Sequence, residues 1–256
     1  MHFLLYKHCF AKFILIENGR NICYNEFGDF MDDIKAVFID IDNTLLDFNK
    51  CALWSMQKAF EDYNLNFEKS MFDTFNMINN RLWLRIEKGE LTKEELYACR
   101  WNMIFALLGI DVDGVEFENV FYSHLTESAV PVDGALDLLG YLHGKYLVCA
   151  ASNASYAQQI KRLNNEGMTE YFDRIFISEQ LSYSKPKKEF FERCFEKISP
   201  IVPSETVMIG DSLTADIEGG ARFGMKTCWY DHNLTNESSD LPNFTVRSLS
   251  EIKNYL

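Results

Sequence analysis

The sequence predicts an α/β fold: a doubly wound parallel sheet with an inserted α-helical cap. In the second half of the chain, short apolar segments alternate with helical patterns, which is typical of consecutive βαβ units. These segments are apolar on both faces, as strands covered by helices on each side should be. Between Asp40 and Ser152 the alternation stops, and helical patterns follow one another without a good strand. That interval indicates a helical insertion.

Five short segments have the length and the β-branched content of buried strands. They are residues 36–40, 146–151, 174–178, 206–210 and 226–230. Amphipathic patterns between the later strands predict the helices that connect them. These patterns cover residues 154–166, 187–198 and 214–223.

The insertion contains three further amphipathic patterns, each typical of a helix. They cover residues 68–88, 92–108 and 114–128. The Pro-Val-Asp-Gly sequence at residues 131–134 combines a linker with a helix start, so we place the return to the sheet there. The predicted domains are a core of residues 31–49 and 131–256, and a cap of residues 50–130. Most aromatic side chains of the insertion are expected to form its own core.

The first thirty residues have neither clean helical nor clean strand periodicity. Met31 stands just before the first predicted strand. We hypothesise that Met31 is the natural start and that residues 1–30 are a mis-assigned extension. The alternative is a genuine N-terminal extension that packs on the domain. A purine-rich ribosome-binding sequence upstream of the Met31 codon would support the hypothesis, and its absence would count against it.

The charge of the chain limits the partners that we expect. The formal net charge is −13 at pH 7. Such an acidic surface repels the phosphates of nucleic acids and the head groups of anionic membranes. We therefore expect neither as a partner. A small anionic substrate would need a local positive site that overcomes the overall field.

The seven cysteines are scattered and form no Cys-x-x-Cys pair. This usage disfavours a disulfide framework or a zinc site and predicts reduced thiols in a cytoplasmic protein. No apolar run reaches the length of a transmembrane helix.

The segment DIDNT follows the first predicted strand and contains Asp40 and Asp42. Ligands bind beyond the carboxyl ends of the strands in open α/β sheets. At this place Asp40 can act as a nucleophile on phosphorus, and Asp42 can exchange a proton with the leaving group and with water. Taken alone, the segment also fits a loop with helix-capping acids.

Two further signals follow later strands. Ser152 ends the second strand, with Asn153 beside it, and its hydroxyl can donate to a phosphate oxygen near a helix start. Lys185, just before Pro186, can neutralise a phosphate. Taken singly, Ser152 also fits a helix N-cap and Lys185 a surface lysine before a Pro-started helix.

The fourth signal is GDSLTAD, directly after the strand at residues 206–210. Asp211 is placed to bind a hard cation through oxygen. Asp216 can orient Lys185 or a metal-bound water. Acids in the first turn of a helix are the alternative. Because all four signals occur in order at strand ends of one sheet, we interpret them together as one active site.

These four motifs resemble the signature of the haloacid dehalogenase-like hydrolases over residues 35–256. The resemblance implies a Rossmann-like core, an aspartyl phosphate on Asp40, and Mg²⁺ as the cofactor. It implies that Mg²⁺ is bound by the Asp40 carboxylate, the Asp42 backbone carbonyl and the Asp211 carboxylate. It also assigns substrate binding to Thr44, Ser152 and Asn153. The helical insertion is similar to the first cap type of the family.

Asp42 favours phosphate-ester hydrolysis among the reactions of this family. By the resemblance, dehalogenases lack a carboxylate at this position, because a halide leaves without a proton. A sugar phosphomutase also keeps this acid, so that alternative stays open. A catalytically silent binding module is disfavoured because Asp40, Asp42, Lys185 and Asp211 are all present.

The segment at residues 79–92 is similar to the cap of bacterial pyrimidine 5′-nucleotidases. This resemblance implies a small phosphorylated metabolite as substrate, preferably a pyrimidine nucleoside monophosphate. A phosphatase of the N-acylneuraminate-9-phosphate or phosphoglycolate type is the alternative. We hypothesise that Trp83 stacks on the base and that Arg81 or Arg85 contacts the substrate. Equally, Trp83 can be cap core and both arginines solvated.

Overall fold

The computed structural model describes residues 31, 33–232 and 240–256, together with the backbone of residues 13–17 and 20–24. The two backbone segments are antiparallel strands, β1 (Phe13–Glu17) and β2 (Arg20–Tyr24). The periodicity of the first thirty residues does not predict this pair. The rest of that stretch lies outside the described residues, and the hypothesis of a start at Met31 stays a prediction.

Six parallel strands form the main sheet. They are β3 (Ala36–Ile39), β4 (Leu147–Ser152), β5 (Arg174–Ile177), β6 (Thr206–Gly210), β7 (Lys226–Tyr230) and β8 (Phe244–Val246). Their order across the sheet is β5-β4-β3-β6-β7-β8, and every neighbouring pair is parallel. The predicted parallel sheet is confirmed. Strand β8 was not predicted, because three residues are too few to show a pattern.

The α-helices of the described residues lie between β3 and β7 along the chain. They are α1 (Phe48–Asp62), α2 (Met71–Glu87), α3 (Lys93–Leu108), α4 (Gly114–Glu127), α5 (Ala135–Leu142), α6 (Tyr156–Asn165), α7 (Ser178–Leu181), α8 (Lys188–Glu196) and α9 (Gly219–Phe223). A π-helical turn, Leu213–Glu218, leads into α9, and 3₁₀ turns occur at Thr169–Tyr171, Pro203–Glu205 and Leu249–Asn254.

The sheet has an apolar cluster on each face. Successive side chains of a strand point to opposite faces. Accordingly, Val37 and Ile39 belong to the cluster that contains Leu138 of α5, whereas Phe38 belongs to the cluster that contains Phe190 of α8. Helices therefore cover both faces, which confirms the doubly wound arrangement.

Helices α1–α4 share a third apolar cluster. Trp101 is fully buried in it and contacts the rings of Phe117 and Phe121. The same helices bury an ion pair between Arg100 and Glu118. The predictions for α2, α3 and α4 agree with the observed helices, whereas α1 was not predicted. We call α1–α4 the cap helices, and the predicted domain bounds at residues 50 and 130 stay a prediction.

The two chain segments that join the cap helices to the sheet run side by side. The Asp47 amide donates to the Val130 carbonyl at 2.8 Å, and the Val132 amide donates to the Leu45 carbonyl at 2.9 Å. The chain therefore enters and leaves the cap helices at one place, next to the end of β3.

Candidate active site

Three neighbouring strands bring predicted site residues to one edge of the sheet. Asp40 directly follows β3, Ser152 is the last residue of β4, and Asp211 directly follows β6. In the sheet β3 lies between β4 and β6. Because parallel strands end at the same edge, these three positions face a common space.

Lys185 is buried at this edge and connects the three strands. Its Nζ donates to Asp40 Oδ1 at 2.7 Å, to Asp216 Oδ1 at 2.6 Å and to the Ala151 carbonyl at 2.6 Å. Only 2% of the side chain is exposed. A buried ammonium group needs such partners, because an unpaired charge is costly away from water. The structure thus places Lys185 beside Asp40, and its catalytic role stays a prediction.

The position of Asp216 depends on a glycine at the end of β6. A Cβ atom at Gly210 would overlap the Asp216 carboxylate, so only glycine allows this close approach. The second carboxylate oxygen of Asp216 accepts from the Ser212 amide at 3.1 Å. Both oxygens of Asp216 thus have partners within the protein, and one of these partners is Lys185, which it was predicted to orient.

The crowded carboxylates bind protons more tightly than usual. Burial raises the pKa of Asp40 well above its ordinary value, and repulsion from Asp216 and Asp211 adds to this in spite of Lys185. Burial also raises the pKa of Asp216. For Lys185, burial lowers the pKa, but the two carboxylates outweigh burial and leave the pKa raised. The cluster therefore favours additional positive charge.

The carboxylates of Asp40, Asp211 and Asp216 can share a cation. Each offers one oxygen within 4.8 Å of the others. Oxygen ligands suit Mg²⁺, and its charge would relieve the repulsion that raises the pKa of Asp40. Since both oxygens of Asp216 have partners, Asp40 and Asp211 are the better placed of the three. The donor set fits Mg²⁺, whereas the part predicted for the Asp42 carbonyl stays a prediction.

Asp42 is held by helix α6. Arg162 Nη1 donates to Asp42 Oδ1 at 2.6 Å, and Gln159 Nε2 donates to Asp42 Oδ2 at 2.6 Å. The sequence did not predict either partner. The signal available in the sequence was weak: two polar residues three positions apart on a helix that follows Ser152.

The structure gives the three predicted substrate-binding residues of the core, Thr44, Ser152 and Asn153, different surroundings. Ser152 Oγ accepts from the Ala154 amide at 3.2 Å and from Gln159 at 3.0 Å, which leaves its hydrogen free to donate. The side-chain amide of Asn153 accepts from the Lys185 backbone N–H at 2.8 Å and donates to the Lys185 carbonyl at 2.9 Å. Thr44 is fully buried and does not line the cavity described next. The geometry thus allows Ser152 to donate a hydrogen bond to a substrate. Asn153 instead holds the backbone of Lys185 in place.

A cavity of about 380 Å³ lies between this edge and the cap helices. Its volume is within the usual range for small-molecule sites. The core side contributes Asp40, Asp42, Ser152, Asn153, Lys185, Asp211, Ser212 and Asp216, among others. The cap side contributes Phe48, Asn49, Asn79, Asn80, Trp83, Leu84 and Glu87. The predicted strand-end residues therefore share one cavity with part of the predicted cap segment.

Helix α2 faces the cavity with one side only. Trp83 and Glu87, four positions apart, lie on that side because residues at this spacing share a helix face. Arg81 and Arg85 are exposed and do not line the cavity. Of the three predicted cap contacts, the geometry supports Trp83 alone, and Trp83 also packs against the apolar cluster of the cap helices. The structure thus places α2 at the cavity wall with Arg81 and Arg85 facing away from it, and contact of Trp83 with a substrate stays a prediction.

Glu87 is a cavity residue that the sequence did not predict. Its Oε1 accepts from the Ser212 hydroxyl at 3.3 Å, which joins the end of α2 to the turn after β6. Burial, with the negative charge of Asp216, raises the pKa of Glu87 to about 7. The signal that would have found it is its four-residue spacing from Trp83.

The described cysteines Cys51, Cys99, Cys149, Cys194 and Cys228 form no disulfide. Among the helices of the described residues, none combines the length and the apolarity that a membrane span requires. The predicted cytoplasmic location stays a prediction.

Comparison with known proteins agrees with this geometry. The family model for haloacid dehalogenase-like hydrolases matches residues 34–224. The HAD-hydrolase YfnB of Bacillus subtilis is 33% identical over 227 residues, which cover 88% of this chain and 97% of that protein. The pyrimidine 5′-nucleotidase PynA of Streptococcus pneumoniae is 33% identical, covering 85% and 93% of the two chains. The pyrimidine 5′-nucleotidase YjjG of Escherichia coli is 29% identical, covering 86% and 96%.

Solved structures show the same relationship. The crystal structure of YfnB bound to magnesium has a TM-score of 0.81 at 32% identity and covers 86% of this chain and 97% of that chain. A dehalogenase with an intermediate complex has a TM-score of 0.68 at 17% identity, covers 88% and 98% of the two chains, and shares the fold. With the family model matching most of the chain, the protein is an enzyme that belongs to the haloacid dehalogenase-like hydrolases.

Proposed function

We propose that the chain is a Mg²⁺-dependent phosphoric monoester hydrolase that works through an aspartyl phosphate on Asp40. The observation that carries the proposal is the contact of buried Lys185 with Asp40 and Asp216, beside the Asp211 carboxylate. A nucleophilic carboxylate next to a buried cation suits an anionic phosphate better than a neutral substrate. Lys185 together with Mg²⁺ would offset the negative charge of the carboxylates, so that a chain with a net charge of −13 can accept an anion.

In the first step an Asp40 oxygen attacks phosphorus, and the bond between phosphorus and the leaving oxygen breaks. Asp42 gives its proton to the leaving oxygen. In the second step water attacks the aspartyl phosphate, Asp42 takes a proton from that water, and inorganic phosphate leaves Asp40 free again. Lys185 balances the negative charge on the phosphoryl oxygens throughout, and the Ser152 hydroxyl can donate to one of them.

When bound, Mg²⁺ would supply charge neutralisation between the substrate phosphate and the carboxylates. Asp40, Asp211 and the backbone carbonyl of Asp42 would hold it, as the family resemblance implies. Asp216 supports the site indirectly, since its oxygens bind Lys185 and the Ser212 amide.

For the substrate we propose a pyrimidine nucleoside 5′-monophosphate. The support comes from two relatives named pyrimidine 5′-nucleotidase and from the half-buried Trp83 ring in the cavity wall. An aromatic ring offers a stacking surface for a flat base. Other relatives act, by their names, on N-acylneuraminate 9-phosphate or glyceraldehyde 3-phosphate, so sugar phosphates and other small phosphate esters belong in the test panel.

The test is phosphate release from a panel of nucleotides, sugar phosphates and phosphoglycolate, with Mg²⁺ and after its chelation. We expect turnover that requires Mg²⁺, with pyrimidine monophosphates among the best substrates. Asp40→Asn should abolish turnover, and substantial activity of that variant would contradict the nucleophile assignment. If pyrimidine monophosphates are among the poorest substrates, the nucleotidase proposal fails. Formation of an isomeric sugar phosphate without release of phosphate would instead indicate a phosphomutase.

A further inference from the structure

We propose that Arg162 and Gln159 are positioning residues that hold Asp42 in place for its two proton transfers. The inference rests on the proposed function, because it concerns the proton that Asp42 gives to the leaving group. It assigns a role to helix α6, which supplies none of the predicted catalytic residues.

The contacts fix both oxygens of the Asp42 carboxylate. Arg162 Nη1 binds one oxygen and Gln159 Nε2 binds the other, each at 2.6 Å. Gln159 Oε1 also accepts from Arg162 Nη1 at 3.1 Å, so the two holding groups support each other. With a single donor, the Asp42 carboxylate would still be free to rotate about its Cβ–Cγ bond. Two donors on opposite oxygens remove that freedom.

Burial distinguishes this pair from an ordinary surface ion pair. The Arg162 side chain is 1% exposed, whereas that of Asp42 is 28% exposed. Asp42 is also part of the cavity wall. Arg162 and Gln159 therefore bind the Asp42 carboxylate from the protein side, and the carboxylate borders the cavity on the other side. Arginine stays charged under all ordinary conditions, so Arg162 remains a hydrogen-bond donor to Asp42 at any assay pH.

The same two side chains connect Asp42 to other parts of the site. Arg162 Nε donates to the Ser128 carbonyl at 3.0 Å, where the chain leaves the cap helices. Gln159 Nε2 donates to Ser152 Oγ at 3.0 Å. Asp42 lies in the loop between β3 and α1, close to the segments that join the cap helices to the sheet. Helix α6 thus fixes Asp42 relative to the sheet.

This role makes a prediction that depends on the leaving group. An alkoxide from a nucleotide is strongly basic and needs a proton from Asp42 as the bond to phosphorus breaks. A dinitrophenolate leaves without that proton. The quantity kcat/KM reports the steps up to the release of the leaving group and excludes the later attack of water on the phosphorylated enzyme. Misplacing Asp42 should therefore lower kcat/KM for the nucleotide much more than for dinitrophenyl phosphate.

The experiment measures kcat/KM with Mg²⁺ for both substrates in Arg162→Ala and Gln159→Met. Asp42→Asn serves as the benchmark for complete loss of the proton donor. We expect each positioning variant to lose about 10²-fold on the nucleotide, the lower end of general acid catalysis. On dinitrophenyl phosphate we expect a loss within about threefold, since that leaving group needs no acid. Lys161→Ala is the matched control, because Lys161 lies on the same helix and pairs with Glu127 instead.

An equal loss on both substrates in the two variants would overturn the inference, because a general disturbance of the fold does not depend on the leaving group. If Arg162→Ala does not fold, Gln159→Met decides alone, since it removes the donor while keeping a similar volume. The Asp40→Asn variant separates the two proposals. If that variant keeps its turnover, the proposed function fails. If it is inactive while the losses are equal on both substrates, only the positioning role is wrong.

Discussion

The two walls of the cavity differ in what fixes their side chains. On the core wall, Asp40, Ser152 and Asp211 stand at the ends of adjacent strands, so backbone pairing places them. On the cap wall, Trp83 and Glu87 share one face of α2, whose orientation depends on side-chain packing among the cap helices. A change of side-chain packing can therefore re-orient the face of α2, whereas the strand ends keep their places as long as the sheet pairs. We therefore expect the chemistry to depend on the core wall and the choice of substrate on the cap wall.

Replacing Lys185 tests the core wall and should have the largest effect. Lys185→Met removes the cation beside Asp40 and keeps a side chain of similar length. We expect kcat to fall by about 10²- to 10³-fold, as for other buried groups that stabilise developing charge. Steady-state phosphate release measures this effect. Lys187→Met is the control, since Lys187 is exposed, and comparable losses in both variants would contradict the assignment.

Replacing Trp83 tests the cap wall and should have a smaller effect. Trp83→Ala removes the aromatic surface from the cavity, and we expect KM for a pyrimidine monophosphate to rise about tenfold, which corresponds to about 1.4 kcal/mol. The change in kcat should be smaller, because Trp83 contacts none of the reacting groups in the proposed mechanism. Arg81→Ala is the matched control on the same helix and should leave KM unchanged. If Arg81→Ala raises KM as much as Trp83→Ala does, the orientation of α2 differs in the substrate complex.

Glu87 links the two walls, and its titration gives the smallest predicted effect. Because burial raises the pKa of Glu87 to about 7, the folded protein binds this proton more tightly than the unfolded chain, where the usual value is 4.5. Between these values the unfolded chain binds fewer protons, so the free energy of unfolding decreases as pH rises. Glu87→Gln cannot titrate and should show a shallower decrease.

Chemical denaturation without Mg²⁺, at intervals between pH 4.5 and pH 7, measures both slopes. Asp40 and Asp216 add to the slope with the same sign in both proteins, so the difference between the two proteins reports the loss of the Glu87 titration together with its coupling to Asp216. Parallel curves would contradict the raised pKa of Glu87.

The core wall was largely predictable from the sequence because its determinants are local. A short apolar strand followed at once by a polar residue reveals both the strand and its end, as for Asp40 and Asp211. Lys185 was predictable from its motif, although its three oxygen partners come from distant parts of the chain.

The remaining features depend on contacts that no local pattern encodes. Arg162 reaches Asp42 across 120 positions of the sequence. The side of α2 that faces the cavity is set by packing, which is why Arg81 and Arg85 were predicted there instead of Glu87. Helix α1 was not predicted, although its buried face carries the large apolar residues Met56 and Phe60 beside smaller ones. The smaller ones are Cys51, Ala52, Ser55 and Ala59.

The paired hydrogen bonds between Asp47 and Val130 and between Leu45 and Val132 have an evolutionary consequence. A unit whose two ends meet at one point can be exchanged for another without stretching its host. Successive generations could thus remodel or replace the helices above the pocket, and acquire new specificities, while the chemical machinery beneath stayed untouched.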